Sequence, residues 1–495
     1  MKYKYRNPFF LVLLIGFAWS SPSYNLDLIN NIESISNNNS SSDFGVSDVW
    51  GYTDETGVEY AIIGYRYGTY IYDVSTDPYK PLLVADIVGP SNGDYYFHRD
   101  YKTYNDHLYI VNEMSGLDEG MQVIDLSPLP YLPPIKRNTY TGVAQSHNLW
   151  IDEELGYAFI EKYYSENIHI ADLENPDIPT AIASLSYSDG ESCHDIYTIN
   201  NMAFVSEGYS NQFGIYDITD ILNPTKLASI PSFGYAHNAW LNDSGTHLIT
   251  GEETVGMTVK IWDVQDLGNI NLVGEYLGEN SLAHNVHVKD DFIYISHYTS
   301  GLKILDIFDP SDPVEVAAFD TFPDDDDNDF YGCWGAFPFT SNGYVYASDM
   351  QYGLFIFEFN NIRAGWVYGK VLDQGVPISG LELRSTLNGK IFTTNLSGEY
   401  SFGFPEGDQE FEFYLDDTLI LVQNITIHPH QNTEYDILLG INGDFNGDGA
   451  ENILDIILLT TQVLSNEFYS SYDLNSDQGL NILDIIILVN IILDI

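Results

Sequence analysis

Cysteine, basic residues and long apolar runs are all scarce in this chain. Only two of its 495 residues are cysteine, Cys193 and Cys333, which excludes a fold held together by a disulfide framework. Lysine and arginine number 18 against 72 aspartate and glutamate residues, and the formal net charge is -54. A surface this acidic repels nucleic acid and anionic membranes, so we expect neither as a partner.

An apolar run at the N-terminus predicts a secretory signal peptide over residues 1–20. Lys2, Lys4 and Arg6 form a basic region, residues 9–17 are apolar, and Ala18-Trp19-Ser20 fits a small-x-small cleavage site. No other apolar stretch is long enough and free enough of charge to span a membrane. We therefore expect a secreted, extracellular or cell-surface-associated protein with no transmembrane segment in the mature chain.

One short segment, by contrast, is repeated seven times. Each copy alternates β-branched or aromatic residues and then meets an acidic residue, as a strand does before a turn. The clearest copy is Leu302-Lys303-Ile304-Leu305-Asp306. The acidic residues recur 43 to 52 positions apart, at Asp73, Asp125, Asp172, Asp217, Asp263, Asp306 and Glu358. This period predicts a mainly β fold, a seven-bladed β-propeller with one four-stranded blade per repeat.

The repeats also indicate how the propeller closes. The acidic residue is interpreted as a turn former that accepts backbone N–H groups, and the alternative is a ring of metal-binding or catalytic carboxylates. Residues 24–32 resemble the fourth strand of later blades, and the seventh repeat lacks that strand after Phe359. We therefore predict a propeller over residues 23–359, closed by the N-terminal strand. Its two cysteines would lie far apart, buried and unpaired.

A second repeated element opens each blade and carries candidate ligand-binding residues. The first strand of a propeller blade is innermost, so these residues should surround the central channel. Histidines there could bind a metal, an anion or a polar ligand, and the alternative is a hydrogen bond within each blade. A weaker calcium candidate is the acidic run Asp324 to Asp327 with Asp329. The alternative is that this run is a solvated loop that binds no ion. The central positions are Trp50, His98, His147, His194, His237, His284 and Trp334.

The propeller region resembles LVIVD-repeat propellers, and more closely the choice-of-anchor B family of secreted bacterial proteins. The resemblance is carried by Ser47-Asp48-Val49-Trp50-Gly51-Tyr52, Met121-Gln122-Val123-Ile124-Asp125-Leu126 and Ser300-Gly301-Leu302-Lys303-Ile304-Leu305-Asp306. Members of that family share this domain but differ in how they attach to the cell. The resemblance implies an attached extracellular propeller and no particular activity.

After Phe359 the pattern changes to strands separated by Gly and Pro turns. Residues 365–439 are predicted to form a small antiparallel β-sandwich. Gly369-Lys370-Val371, Pro377-Ile378-Ser379-Gly380 and Ser397-Gly398-Glu399-Tyr400 make it resemble the carboxypeptidase regulatory-like, transthyretin-like family. That resemblance implies the fold and a rigid spacer rather than an activity.

Residues 442–495 contain two loop–helix repeats with the ligand spacing of calcium-binding loops. Each loop has oxygen-bearing side chains at positions 1, 3, 5, 9 and 12 and a backbone carbonyl at position 7, which suits a hard cation. We predict two calcium ions. Gln478 replaces the usual glycine at position 6 of the second loop and should weaken that site. The ligands are Asp444, Asn446, Asp448, Ala450, Asn452 and Asp455, then Asp473, Asn475, Asp477, Gly479, Asn481 and Asp484.

This duplicated unit, with Asp at position 12 and no entering helix, resembles a type I dockerin. The resemblance implies calcium-dependent folding and binding to a cohesin-like partner. Dockerins commonly attach to carbohydrate-degrading enzymes of extracellular complexes. Loop positions 10 and 11, which help to choose the cohesin in that family, are Ile453-Leu454 and Ile482-Leu483 here. They are apolar in both copies, so the identity of the partner stays open.

Two classes of function fit these features. The first is a propeller for ligand or protein binding, attached through its calcium-dependent tail, with polysaccharide or a cell-surface protein as its ligand. The second is an extracellular polysaccharide-degrading hydrolase or lyase with its site at the channel mouth. The sequence contains no serine nucleophile elbow, phosphate loop or zinc-ligand spacing, and no acid/base pair is recognisable. We favour binding and assign no catalytic residue.

Overall fold

The chain divides into two compact units, residues 1–364 and residues 365–495. Strands dominate, and both α-helices of the described residues lie in the second unit. None of the described helices is long and apolar enough to cross a membrane. The structure, a computed structural model, describes residues 23–38, 45–90, 98–116, 118–161, 167–187, 193–278, 282–324, 329–373, 375–439, 443, 445–446, 450–465, 468–469, 472–475 and 477–493.

The described part of the first unit is made of seven antiparallel sheets of four strands each. Six sheets take four strands that are consecutive in the chain, and the seventh takes its last strand from the N-terminus. The chain begins with β1 (Asp27–Ile32) and a 3-10 helix (Glu33–Asn38). Sheets 1 to 3 comprise β2 (Val46–Thr53), β3 (Glu59–Tyr65), β4 (Gly68–Asp73) and β5 (Leu82–Val88); β6 (Arg99–Tyr104), β7 (His107–Asn112), β8 (Met121–Asp125) and β9 (Ile135–Tyr140); β10 (Leu149–Asp152), β11 (Tyr157–Ile160), β12 (Asn167–Asp172) and β13 (Thr180–Ser186).

The remaining sheets repeat the same order of strands. In sheets 1 to 5 the second and third strands are mostly buried, whereas the fourth is largely exposed. Sheets 4 to 7 comprise β14 (Asp195–Ile199), β15 (Met202–Ser206), β16 (Gln212–Asp217) and β17 (Thr225–Pro231); β18 (Ala236–Leu241), β19 (His247–Glu252), β20 (Val259–Asp263) and β21 (Asn271–Tyr276); β22 (Asn285–Lys289), β23 (Phe292–Ser296), β24 (Leu302–Asp306) and β25 (Val314–Phe319); and β26 (Cys333–Phe337), β27 (Tyr344–Asp349) and β28 (Gly353–Glu358) with β1.

The repeated acidic residues end the third strand of each sheet and shape the turn that follows. Asp125 accepts a hydrogen bond from the backbone N–H of Ser127 at 2.9 Å, and Asp306 accepts one from Phe308 at 2.8 Å. The predicted turn role is therefore confirmed for the six aspartates, because each carboxylate is used within its own turn. The same bond to the residue two positions on is made by Asp73, Asp172, Asp217 and Asp263.

The core lies between neighbouring sheets rather than inside one of them. Ile62 and Ile71 of sheet 1 pack with Leu108 and Ile110 of sheet 2 in one buried cluster. Other clusters join sheet 7 to sheet 1 and link sheets 4, 5 and 6. A single sheet could not bury both of its apolar faces, so each sheet depends on its two neighbours.

The first strands of the seven sheets contact one another in a closed cycle. Each of β2, β6, β10, β14, β18 and β22 lies against the next first strand, and β26 lies against β2. In sheet 7, β1 runs antiparallel to β28, from Asp27 opposite Glu358 to Ile32 opposite Leu354. The N-terminal strand thus supplies the fourth strand of sheet 7, and the ring of sheets is consistent with a β-propeller. Both cysteines are buried with free thiols.

The described part of the second unit contains two more sheets and two helices. Val367, Leu383, Phe402, Phe411 and Ile427 come from both sheets and share one buried cluster, as in a sandwich. The strands are β29 (Ala364–Asp373), β30 (Val376–Pro377), β33 (Glu399–Pro405), β36 (Asn432–Glu434) and β37 (Ile437–Leu439) in the first sheet, and β31 (Glu382–Ser385), β32 (Ile391–Thr393), β34 (Gly407–Leu415) and β35 (Thr418–Ile427) in the second. The helices are α1 (Ile453–Ser465) and α2 (Ile482–Leu493), which contact each other.

Removing β1 should destabilise the whole first unit rather than only its end. A chain that begins at residue 33 exposes the edge of β28 and loses the hydrogen bond from the Tyr24 hydroxyl to Glu315 in sheet 6. We expect its melting temperature to fall by at least about 10 °C, because several kilocalories per mole of strand pairing and burial are lost. A chain that begins at residue 23 is the matched control, and equal melting temperatures would contradict the closure.

Candidate functional site

The five histidines predicted to line the channel meet in one continuous collar. Their rings lie 3.8–4.5 Å apart from one neighbour to the next, and Trp334 closes the circle at 4.4 Å from His284 and 5.4 Å from His98. We call this set the histidine collar. It comprises His98, His147, His194, His237, His284 and Trp334.

Hydrogen bonds between sheets hold the collar. His194 donates from Nδ1 to the backbone carbonyl of His237 at 2.9 Å, and His98 donates from Nε2 to the carbonyl of His147 at 2.8 Å. His284 donates in the same way to Trp334. The sequence-based alternative placed such bonds within each blade, and this was wrong: they cross to the next sheet. They therefore help to close the ring as well as to orient the imidazoles.

Trp50 does not belong to the collar, contrary to the prediction. Its ring lies 4.9 Å from that of Phe337, and the ammonium group of Lys102 lies 4.3 Å from its centre. Trp50 is equivalent to Trp150 and Trp240, which stand three residues beyond the collar histidines of their own strands. The register of sheet 1 shifts between Val46 and Val49. Similar bulges enclose His237 in sheet 5 and Trp334 in sheet 7. By this comparison Ser47 and Asp48, rather than Trp50, take the collar position of sheet 1.

The collar contains one protonated imidazole among neutral ones. Burial lowers the pKa of His98, His194 and His237 well below the usual value and that of His284 to about 3. Burial is the largest single effect on His147 and opposes its charged form, but the charge and hydrogen bond of Glu113, with the charges of Glu161 and Glu253, together outweigh it and raise the pKa to about 9. The Nδ1 atom of His147 lies 2.7 Å from Glu113.

Sequence reasoning missed the glutamates that stand beside the collar. Glu161 accepts a hydrogen bond from the backbone N–H of His147 at 2.9 Å, and Glu253 lies 3.7 Å from Nε2 of His237. Burial raises the pKa of both carboxyls to about 7. A repeat signal could have found them, because one glutamate directly follows the second strand in each of sheets 2 to 5. These residues are Glu113, Glu161, Glu207 and Glu253.

The first strands carry a second set of aromatic residues three positions beyond the collar, or about 10 Å along the strand. We call the space that they line the aromatic cavity, which has a volume of about 460 Å³. The rings of Trp150 and Trp240 lie 5.2 Å apart at right angles, and Phe339 stacks 5.3 Å from Trp240. Its principal aromatic residues are Trp50, Tyr52, Trp150, Trp240, Phe337 and Phe339.

Two charged groups near the aromatic cavity neutralise each other. The ammonium group of Lys102 lies 2.8 Å from the carboxylate of Asp100, and both side chains are buried. His287 follows His284 by three positions and packs 4.8 Å from Trp240. Burial, with a smaller effect of Lys102, lowers the pKa of His287 to about 3, so that a neutral ring faces the aromatic residues.

The two C-terminal loops share one arrangement around the aspartate at position 12. Asp455 accepts backbone hydrogen bonds from Asn446 at 3.0 Å and Asn452 at 2.9 Å. Asp484 accepts them from Leu474 at 2.9 Å and Asn481 at 2.8 Å. Both aspartates are fully buried in the first turn of their helix. Buried carboxylates that face loops of oxygen donors fit a calcium ion.

The structure describes only some of the other predicted calcium ligands. Asp444 and Asp448 of the first loop lie outside the described residues. In the second loop, burial and the negative charges of Asp484 and Asp477 raise the pKa of Asp473. Gln478 adopts the left-handed conformation with φ of 60°, which glycine would adopt without strain, as the sequence analysis supposed.

The structure describes only part of the acidic run, which lies between sheets 6 and 7. Asp325 to Asp327 lie outside the described residues. Asp324 accepts a hydrogen bond from the Tyr352 hydroxyl at 2.7 Å, and the backbone N–H of Phe330 donates to Asp329 at 2.8 Å. Both described carboxylates thus have local donors.

Comparison with known proteins identifies one repeat. The LVIVD repeat family model matches residues 282–321, which contain the four strands of sheet 6. No curated protein matches the chain at a significant level. A solved structure described as "Crystal Structure of Mitotic Checkpoint Complex" aligns with 72% of this chain and 98% of that chain, at 12% identity and a TM-score of 0.48.

Replacing His287 should make the stability of the first unit less sensitive to acid. The folded ring stays neutral down to about pH 3, whereas the unfolded ring binds a proton near its ordinary pKa of 6.5. Because the folded pKa is depressed, stability is present above pH 6.5 and is lost as the pH falls toward 3. We expect the melting temperature of His287→Phe to fall less steeply than that of the wild type between pH 6.5 and 4 in calorimetry. Parallel curves would contradict the burial of a neutral imidazole.

Proposed function

We propose that the first unit is a seven-bladed β-propeller of the LVIVD-repeat, choice-of-anchor B type that is secreted and binds a glycan without turning it over. The observation that carries the proposal is the aromatic cavity, lined by Trp50, Trp150 and Trp240. Its volume of about 460 Å³ falls within the range typical of small-ligand sites, about 300–1,000 Å³. The matched LVIVD repeat and the closed cycle of first strands support the propeller.

The chemistry of the cavity favours a neutral, hydroxylated ligand. Indole and phenol rings offer flat apolar faces for the C–H face of a sugar ring. Thr103, Thr340 and Glu153 add polar groups that can bind hydroxyls. Because Asp100 already neutralises Lys102, the cavity has no unbalanced buried cation to select an anionic ligand. A segment of one or two sugar rings suits this combination of volume and lining.

The carboxylates of the cavity support binding over hydrolysis. Glycoside hydrolysis usually requires two carboxyl groups on either side of the bond that breaks. Glu59 lines the cavity, but its Oε1 accepts hydrogen bonds from the backbone N–H and hydroxyl of Ser341, both at 2.6 Å. It therefore holds a turn of sheet 7 against sheet 1. The other carboxylate of the cavity, Glu153, is exposed. The described lining contains no second available carboxylate to act with it in hydrolysis.

One observation favours the enzyme as a second candidate. Glu161 and Glu253 beside the collar have pKa values near 7, the range in which a carboxyl can act as a general acid. A hydrolase or lyase with its site at that end of the channel would use these groups and the collar. The test is product release from a glycan. If the wild type releases product and neither His194→Ala nor His237→Ala does, this proposal replaces the binding proposal.

The C-terminal residues 442–495 are proposed to form a dockerin-like module that holds two calcium ions and binds a cohesin-like protein. The duplicated burial of Asp455 and Asp484 supports this assignment. Residues 365–439 would then be a carboxypeptidase regulatory-like sandwich that acts as a spacer. In this scheme the tail attaches the protein to an extracellular complex or a cell surface, and the propeller presents the glycan site.

Truncating a tryptophan of the cavity should weaken glycan binding strongly. On a panel of neutral and acidic polysaccharides we expect binding to neutral chains. Trp150→Ala should weaken that binding by at least about tenfold, because tryptophans at the centre of a binding site usually contribute most of the binding energy. Tyr131→Ala is the matched control, since Tyr131 is 82% exposed and lies outside the cavity lining. Folding is checked by circular dichroism, and unchanged affinity of a folded Trp150→Ala would refute the site.

Calcium should control the tail and leave the propeller intact. Without a cation, Asp473, Asp477 and Asp484 repel one another, and two short helices alone are marginally stable in water. We expect calorimetry of the metal-free full chain to show two calcium ions bound, and Asp473→Ala to bind one. Chelation should lower the helical signal while the β signal stays, with the exposed Asp417→Ala as control. Absence of calcium uptake, or helices that persist in chelator, would show the assignment to be wrong.

A further inference from the structure

We propose that His237, His284 and Glu253 form a binding site for a divalent transition-metal cation of the Zn²⁺ class. This site lies at the histidine collar and is separate from the C-terminal calcium loops and from the aromatic cavity. It goes beyond the proposed glycan binding and does not depend on it.

The geometry brings three ligand atoms of suitable type together. One atom from each of the three residues lies within 4.8 Å of the other two. His237 Nε2 and Glu253 Oε2 are 3.7 Å apart. Tetrahedral ligands at bond lengths of about 2.0–2.1 Å stand about 3.4 Å from one another, so a small contraction would complete the site. Three protein ligands leave a fourth position for water.

Contacts with neighbouring groups orient two of the three ligands. The Nδ1–H group of His284 donates to the carbonyl of Trp334, which leaves its Nε2 lone pair for a cation. The hydroxyl of Tyr298 donates to Oε1 of Glu253. Metal-binding histidines and carboxylates typically have such outer partners, which fix the tautomer and the ring orientation.

The contact between Glu253 and His237 is incomplete as a hydrogen bond. A separation of 3.7 Å between Nε2 and Oε2 is too long for one, although the His237 side chain is almost fully buried and that of Glu253 is only 16% exposed. Among the described residues, no lysine or arginine forms an ion pair with Glu253. A cation beside Oε2 would offset the negative charge of Glu253, which burial otherwise makes unfavourable.

The donor set distinguishes this site from the calcium loops. Two imidazole nitrogens and one carboxylate suit Zn²⁺ or another first-row divalent ion, whereas Ca²⁺ and Mg²⁺ prefer oxygen ligands only. The imidazole of His147 would repel a cation when protonated, but the carboxylate of Glu113 lies 2.7 Å from its Nδ1 and opposes that charge. The surroundings of the site are therefore not cationic on balance.

Cobalt spectroscopy on the full chain tests the proposal. The C-terminal loops are first saturated with Ca²⁺, and Co²⁺ is then titrated as a spectroscopic probe for Zn²⁺. We expect one Co²⁺ per chain with visible d–d absorption, which Zn²⁺ displaces and excess Ca²⁺ or Mg²⁺ does not. Glu253→Gln and His284→Gln should each weaken the affinity at least tenfold, and Tyr298→Phe should weaken it while keeping one equivalent.

His247→Gln is the matched control, because His247 lies on β19 outside the collar. Circular dichroism establishes which variants fold. If a collar substitution prevents folding, the conservative variant Tyr298→Phe still tests the site. The absence of a one-equivalent Co²⁺ spectrum in the wild type would overturn the proposal. So would wild-type affinity in folded Glu253→Gln or His284→Gln, since the ion would then be bound elsewhere.

Discussion

The pairing of β1 with β28 is the interaction on which the first unit depends. Each sheet buries its apolar faces only against two neighbours, so an open row of sheets would leave one face exposed at each end. Sheet 7 receives its fourth strand from residues at the start of the chain, more than 320 positions away. This long-range contact joins the two ends of the ring into one cooperative structure and fixes the positions of the seven inner strands.

Both candidate sites follow from those inner strands. The collar histidines and the tryptophans of the aromatic cavity lie three positions apart in the chain. His147, for example, comes just before β10, and Trp150 lies within β10. The collar bonds cross from sheet to sheet, so the groups that could bind a metal also hold the ring closed. One constraint, closure, therefore positions two sites of different chemistry: nitrogen and carboxylate donors in the first, aromatic faces in the second.

The repeats predict most of the fold because their signals are local. A strand that ends in aspartate makes its own turn, and Asp125 and Asp306 do so as expected. The collar was foreseen for the same reason, except in sheet 1, where Trp50 is equivalent to Trp150 and Trp240 and not to the collar histidines. Glu253 was missed because a glutamate after a strand looks like surface charge. The aromatic cavity was missed because its residues converge only when the ring is closed.

Amide hydrogen exchange on the intact chain tests the closed ring most directly. The measurement compares, in low concentrations of denaturant, the β1 amides that bond to β28 with interior amides of sheets 2 to 6. If closure makes the ring one cooperative unit, the β1 amides exchange only with the global unfolding of the first unit, at the same free energy as the interior strands. Exchange of β1 at a much lower free energy, with the other sheets still protected, would contradict the account.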